Sequence, residues 1–156
     1  MVREIHAKNL ADLSNRDRYY LEKAIEHSSK RYKTVCDKTT SIEISAGDST
    51  RCRNNRKRRC SISCILIENR DSRRMVTGSN SYVKTHPLQK RYSILSGKPE
   101  GRAFLHAEIH AISRANKPYA IYIARTDRQG TPQLAKPCES CRKAIEDSGI
   151  RRIVYT

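Results

Sequence analysis

The order of its apolar stretches predicts an α/β fold in which helices flank a mixed central sheet. Three observations carry this expectation: a helix-periodic segment near the N-terminus, an apolar hairpin in the middle, and two strand–helix–strand alternations in the C-terminal half. In chain order the elements read helix, strand, strand, helix, strand, helix, strand. The alternations make the second half of the sheet parallel, because strands joined through a helix run in the same direction.

The first helix spans Ser14 to about Lys33. Tyr20, Leu21, Ala24, Ile25, Ser28 and Tyr32 recur at helical spacing, and Ser14 with Asp17 three residues later forms an N-terminal signature. The pattern breaks over residues 38–60, where "KTTSIEISAGDST" is polar and "RCRNNRKRRC" holds six basic residues and no acid. This segment reads as a basic insertion or arm. "CSISCILIEN" and "RRMVTGSN" form the two strands of the hairpin. The stretch from Tyr82 to Ala103, punctuated by Pro87, Gly97, Pro99 and Gly101, reads as a long functional loop. "FLHAEIHAISRA" follows as a helix with Leu105, Ile109 and Ile112 on one stripe, stopped before Pro118. "YAIYIAR" is a buried strand, Thr126 to Pro137 a loop, "CESCRKAIEDSGI" a helix with Gly149 at its end, and "IRRIVYT" the last strand.

The chain has 156 residues, which suits one domain over 1–156 with a lean core, since only 37% of residues are hydrophobic. Lys and Arg number 32 against 16 Asp and Glu. The resulting +16 points to a polyanionic or phosphorylated partner, nucleic acid or nucleotide, with a charged solvated surface as the alternative. The opening "MVREIHAKNL" is charged throughout, and no stretch approaches the length of a membrane span. A soluble cytoplasmic protein is the expectation. Six cysteines then read as thiols or metal ligands before disulfides.

Two of them carry the strongest local signal. In "AKPCESCRK", Cys138 and Cys141 lie three apart behind Pro137. If a helix begins near Cys138, an i, i+3 pair sits about 60° apart around its axis, so both thiols face one way. A catalytic zinc takes three protein ligands and leaves its fourth position open, and His106 at the head of the preceding helix is the candidate third ligand. Glu108 is two residues further on. In a regular helix i and i+2 point roughly 200° apart, so His106 and Glu108 can share one site only if the helix starts at His106.

"HAE" followed by "PCESC" resembles the zinc signature of the cytidine and deoxycytidylate deaminase superfamily, over roughly residues 14–156 and only loosely over 34–60. The resemblance implies a cytidine-deaminase-like three-layer fold and one catalytic zinc ion held by His106, Cys138 and Cys141. It also implies hydrolytic deamination of a nucleobase, with Glu108 as the proton shuttle rather than a ligand. By the same resemblance Asn80 matches a sugar-binding asparagine, although Asn after Gly is also a turn residue. The backbone N–H of Ala107 matches the group that holds the base carbonyl.

Other residues stay open on sequence alone. His86 is a plain loop residue or a substrate contact, Phe104 a base-stacking or core ring, and His110 an ordinary helix-face residue. Cys36, Cys52, Cys60 and Cys64 lack close-pair spacing, so they read as buried or free thiols, with a second structural zinc as the lesser alternative. Family members commonly continue beyond the fourth strand. The exposed edge is then covered by the N-terminal region or another subunit, or it borders a broad cleft.

The leading substrate is cytosine in single-stranded DNA or RNA, with Arg51, Arg53, Arg56, Lys57, Arg58 and Arg59 tracking phosphates. The alternative is a deoxycytidylate deaminase of free nucleotides, which the wording after Cys138 resembles most. An adenine deaminase of the tRNA type and an inactive nucleic-acid-binding module are further readings.

Overall fold

The computed structural model describes residues 2–40, 60–71, 74–98, 104–127 and 129–156, the side chains of 32–40 excepted. Strand β1 (Arg3–His6) leads through a 3-10 turn into helix α1 (Asn15–Thr40), followed by the hairpin β2 (Ser61–Glu68) and β3 (Met75–Ser79). Then come α2 (Pro87–Leu95), α3 (Ala107–Ile112), β4 (Pro118–Thr126), the short β5 (Pro132–Gln133), α4 (Glu139–Asp147) and β6 (Arg152–Tyr155). The sheet order is β1-β6-β4-β2-β3, and β5 pairs only with the far end of β4. Strands β4, β6 and β1 are parallel to one another and β2 is antiparallel to both its neighbours, so the sheet is mixed.

Both faces of the sheet are covered, which is why its central strands are apolar at nearly every position. Ile65, Ile67, Tyr122 and Val154 pack with Leu21 and Ala24 of α1 on one face. Cys64, Leu66, Ile121, Ile123 and Ile153 pack on the other face with Ala107 of α3 and Ile145 of α4. The result is the three-layer α/β arrangement expected. Asp17 secures α1 to the sheet: its carboxylate accepts from Tyr122 Oη at 3.0 Å and from Arg152 Nε at 3.0 Å.

Three features differ from the sequence reading. First, α1 continues to Thr40, into the segment taken as the insertion. Secondly, the loop from Tyr82 to Ala103 contains α2. His86 caps this helix by accepting the Leu88 N–H at 3.1 Å on Nδ1, and Pro87 at the first position is pre-set for helix by its fixed φ. Gly97, at φ 71°, follows its end. What stabilises α2 is its packing on α4, where Tyr92 Oη donates to Asp147 at 3.0 Å. Thirdly, the edge beyond β6 is occupied by β1. Arg3 pairs with Arg152 and His6 with Tyr155, and Ala7 N–H donates to Tyr155 C=O at 2.8 Å. The His6 and Tyr155 rings stack at 5.0 Å, and Glu4 forms an ion pair with Arg142 of α4. Of the covers open at the sequence level, the N-terminal region is the one that fills this edge.

Among the described residues no helix is long and apolar enough to cross a membrane. Arg51, Arg53, Arg56, Lys57, Arg58 and Arg59 lie outside the described residues, as do Cys52 and the side chain of Cys36.

Candidate active site

Helices α3 and α4 lie on one face of the sheet, and each begins at a candidate ligand. His106 is the N-cap of α3, with extended φ −86° and ψ 153°, and Cys138 is the N-cap of α4 with φ −71° and ψ 166°. Each carbonyl accepts the first helical bond, from His110 N–H at 3.0 Å and from Arg142 N–H at 2.8 Å. Neither side chain makes a capping bond, although an N-cap side chain usually does. Both are thereby free to turn toward a common point. The helix start at His106 is also what the spacing of His106 and Glu108 requires, since His106 departs from helical φ/ψ and Glu108 does not.

The position of α3 rests on two contacts that sequence reasoning missed. Gln89 of α2, 1% exposed, accepts the backbone N–H of His106 on Oε1 at 3.0 Å and donates from Nε2 to Ser93 Oγ at 3.3 Å. That gives the His106 amide an acceptor it would otherwise lack at a helix start. Gly78 of β3 lets α3 approach the sheet: a Cβ there would lie 2.1 Å from the Ala107 carbonyl oxygen and 2.8 Å from Ala111 N. The Cys64 thiol donates to that same carbonyl at 3.0 Å. A buried Gln beside a capped Pro turn, and a Gly inside an apolar strand, are the signals that could have flagged both.

The donor set fits zinc. Nδ1 of His106 lies 3.5 Å from Cys138 Sγ and 3.3 Å from Cys141 Sγ, and all three donor atoms fall within 4.8 Å of one another. Tetrahedral bonds of about 2.3 Å to sulfur and about 2.0 Å to nitrogen put an N···S ligand pair about 3.5 Å apart. One imidazole and two thiolates are borderline-soft ligands suited to Zn²⁺, and three protein donors leave the fourth position open, as catalytic sites do. The electrostatics agree. The Cys138 thiol is lowered to about 3, first by the hydrogen bond from Cys141 and then, against the cost of burial, by that from His106. Cys141, as donor in that pair and buried, is raised. His106 is raised by its hydrogen bond to Cys138. Glu108 is 5% exposed, and burial raises its carboxyl above the ordinary range.

A family model describing the cytidine and deoxycytidylate deaminase zinc-binding region matches residues 42–156, a span that holds all three donors and Glu108. The chain belongs to the cytidine and deoxycytidylate deaminases. It is a zinc-dependent hydrolytic deaminase of the cytidine type, and His106, Cys138 and Cys141 form a group that could hold the metal ion. No curated protein matches the sequence.

The remaining candidate residues of the deaminase are placed as follows. Ala107 directly follows the ligand residue His106, and Asn80 directly follows β3. Asn80, at the end of β3, accepts the Ile62 N–H on Oδ1 and donates from Nδ2 to Cys60 C=O, each at 3.1 Å. Its side chain thus extends the β2–β3 pairing by one step. Ala107 is fully buried at the first position of α3. His86, by contrast, is engaged as the cap of α2. His110 faces the end of β3, with Nδ1 3.2 Å from both N and O of Ser79. Phe104 is half-exposed rather than core, Cys64 is buried, and Cys60 is a partly buried free thiol.

Proposed function

We propose that this deaminase converts cytosine to uracil within single-stranded nucleic acid, with His106, Cys138 and Cys141 holding the zinc ion and Glu108 moving the protons. The observation that carries the polymer reading is where the basic stretch joins the fold. Cys60 directly follows Arg51, Arg53, Arg56, Lys57, Arg58 and Arg59 in the chain. It is hydrogen-bonded to Asn80 and to Tyr82, two residues on the connection that runs from β3 to α2. Six positive charges therefore immediately precede Cys60 in the sequence, in a chain whose net charge of +16 exceeds what one nucleotide's phosphate needs.

Zinc, when bound, supplies a Lewis acid that makes water nucleophilic near neutral pH. Water adds its oxygen at the carbon bearing the amino group, and ammonia leaves, so cytosine and water become uracil and ammonia. Glu108 suits the proton traffic because burial raises its carboxyl toward the pH at which it can both accept and donate. Its carboxylate takes one proton from water and gives it to the ring nitrogen beside the reacting carbon, then takes the second from the newly added hydroxyl and gives it to the departing amine. The Ala107 N–H, at the start of α3 and without a partner inside the helix, is the donor for the base carbonyl. Asn80 retains a second lone pair on Oδ1 for a sugar hydroxyl, while its other bonds hold the amide plane.

A second reading, deamination of free deoxycytidylate, is favoured by the family description itself, which names that substrate class. Mass spectrometry separates the two. Zinc-loaded protein is incubated with deoxycytidylate and, separately, with single-stranded DNA and RNA, with Glu108→Ala as the inactive control that still binds zinc. Conversion appears as a gain of about one dalton at cytosine. Conversion of the polymer, with binding that falls steeply as salt rises, supports the proposal. Conversion of the mononucleotide alone overturns it in favour of the second reading.

A further inference from the structure

Two exposed aromatic rings lie beside each other where the chain leads into His106, and we propose that Tyr82 and Phe104 form a stacking platform for a nucleobase that flanks the target cytosine. The proposal rests on the polymer reading above and supplies it with a specific contact. Phe104 is the chain's single Phe, yet it is 49% exposed, while its neighbour Leu105 is buried. Tyr82 is 37% exposed. Large apolar rings left in water beside a site are informative in a way that scattered surface leucines are not.

Their placement is held on both sides. Ser81 N–H donates to Leu105 C=O at 2.8 Å, and Leu105 N–H donates to Lys84 C=O at 3.0 Å. These two bonds fix the segment carrying Tyr82 against the segment carrying Phe104, two residues before His106. The Tyr82 hydroxyl is turned back into the fold: it donates to Cys60 C=O at 3.1 Å and accepts from Cys60 N–H at 3.2 Å. With the polar tip engaged, the ring is what the residue offers outward. The two ring centroids are 6.4 Å apart at 57°, so the rings are tilted against one another instead of stacked face to face. A flat base stacks on one ring and abuts the other. The exposed Lys84 in the same segment provides a cation for an adjoining phosphate.

A mononucleotide has only one base, and that base occupies the reacting position. The platform therefore contributes only when a second nucleotide is attached, which makes it a device for selecting polymer over monomer.

The test uses zinc-loaded Glu108→Ala protein, so that the ligand stays intact, and single-stranded DNA with 2-aminopurine next to a cytosine. The expected result is quenching of 2-aminopurine on binding. Phe104→Ala should lose that quenching and bind about tenfold more weakly, within the range that base–aromatic stacking supports. Phe104→Trp should restore both. The salt dependence of binding should be the same in all three, since a ring releases no counterions. Undiminished affinity and quenching in Phe104→Ala, with the parent protein binding normally, overturn the platform and leave the polymer reading standing. Failure of Phe104→Trp to restore a loss also overturns it, because the defect then lies in folding rather than stacking. Absence of any oligonucleotide binding by the parent protein overturns platform and polymer reading together.

Discussion

Replacing Gln89 by Met tests how the ligand helix is held. Met preserves the length and volume of the side chain but offers neither the acceptor to His106 N–H nor the donor to Ser93. An amide buried without a partner costs about 1–3 kcal/mol, and the lost bond to Ser93 adds about 1 kcal/mol, so unfolding stability should fall by about 2–4 kcal/mol. The amide belongs to a ligand residue, and the acceptor fixes the orientation of its backbone. Partners of this kind tune metal affinity by about tenfold to a hundredfold. Urea unfolding gives the first quantity, and competition against a coloured chelator gives the second on folded protein. A Gln89→Met protein that loses stability but keeps wild-type zinc affinity would refute the claim that Gln89 positions His106. Unchanged stability would refute the hydrogen bond itself.

Gly78→Ala should destabilise by about 3 kcal/mol or more, since the added methyl meets backbone atoms of α3 that cannot swing aside; a wild-type unfolding midpoint would contradict that close approach. Burial alone would raise the Asp17 carboxyl, but hydrogen bonds from Ser14, Arg152 and Tyr122 outweigh it and hold it below its ordinary value of 3.8. A lowered folded-state value contributes stability that is present above the ordinary value and is lost as pH falls through the folded one. Asp17→Asn should therefore cost about 3 kcal/mol at neutral pH, and the gap to wild type should close in acid below about pH 4. A gap of constant size across that range would show that the carboxylate charge is not the cause. Chelating zinc should lower the melting temperature by about 5–10 °C for an ion present at about a hundredfold over its Kd. Cys141→Ser should abolish the zinc-dependent shift, and persistence of the shift would remove Cys141 from the ligand set.

Much of the molecule was legible because the relevant physics is local. The runs around Cys64–Ile67 and Ala120–Ala124 are apolar at consecutive positions, which announces strands buried on both faces whatever surrounds them. The spacing of Cys138 and Cys141 puts two thiols on one side of a helix start, and the His106–Glu108 pair demanded an irregular first turn at His106, where α3 begins. What escaped depends on neighbours far along the chain. "REIH" has two charges and no apolar period, and it is a strand only because β6 offers it an unpaired edge. The segment from Pro87 to Leu95 lies among prolines and glycines that read as loop, and it becomes helix through the His86 cap and its packing on α4. The bond from Gln89 to His106 spans 17 residues, and the need for Gly at 78 arises only when α3 comes down on β3. By itself, then, the sequence determined the ligand chemistry, the order of most elements and the sheet core, because side-chain type and periodicity express those directly. Tertiary structure alone decided which strand closes the sheet edge, which side chain holds the ligand helix and which aromatic rings stay exposed. Pairing partners and exposure are properties of what packs alongside, and a one-dimensional pattern does not contain them.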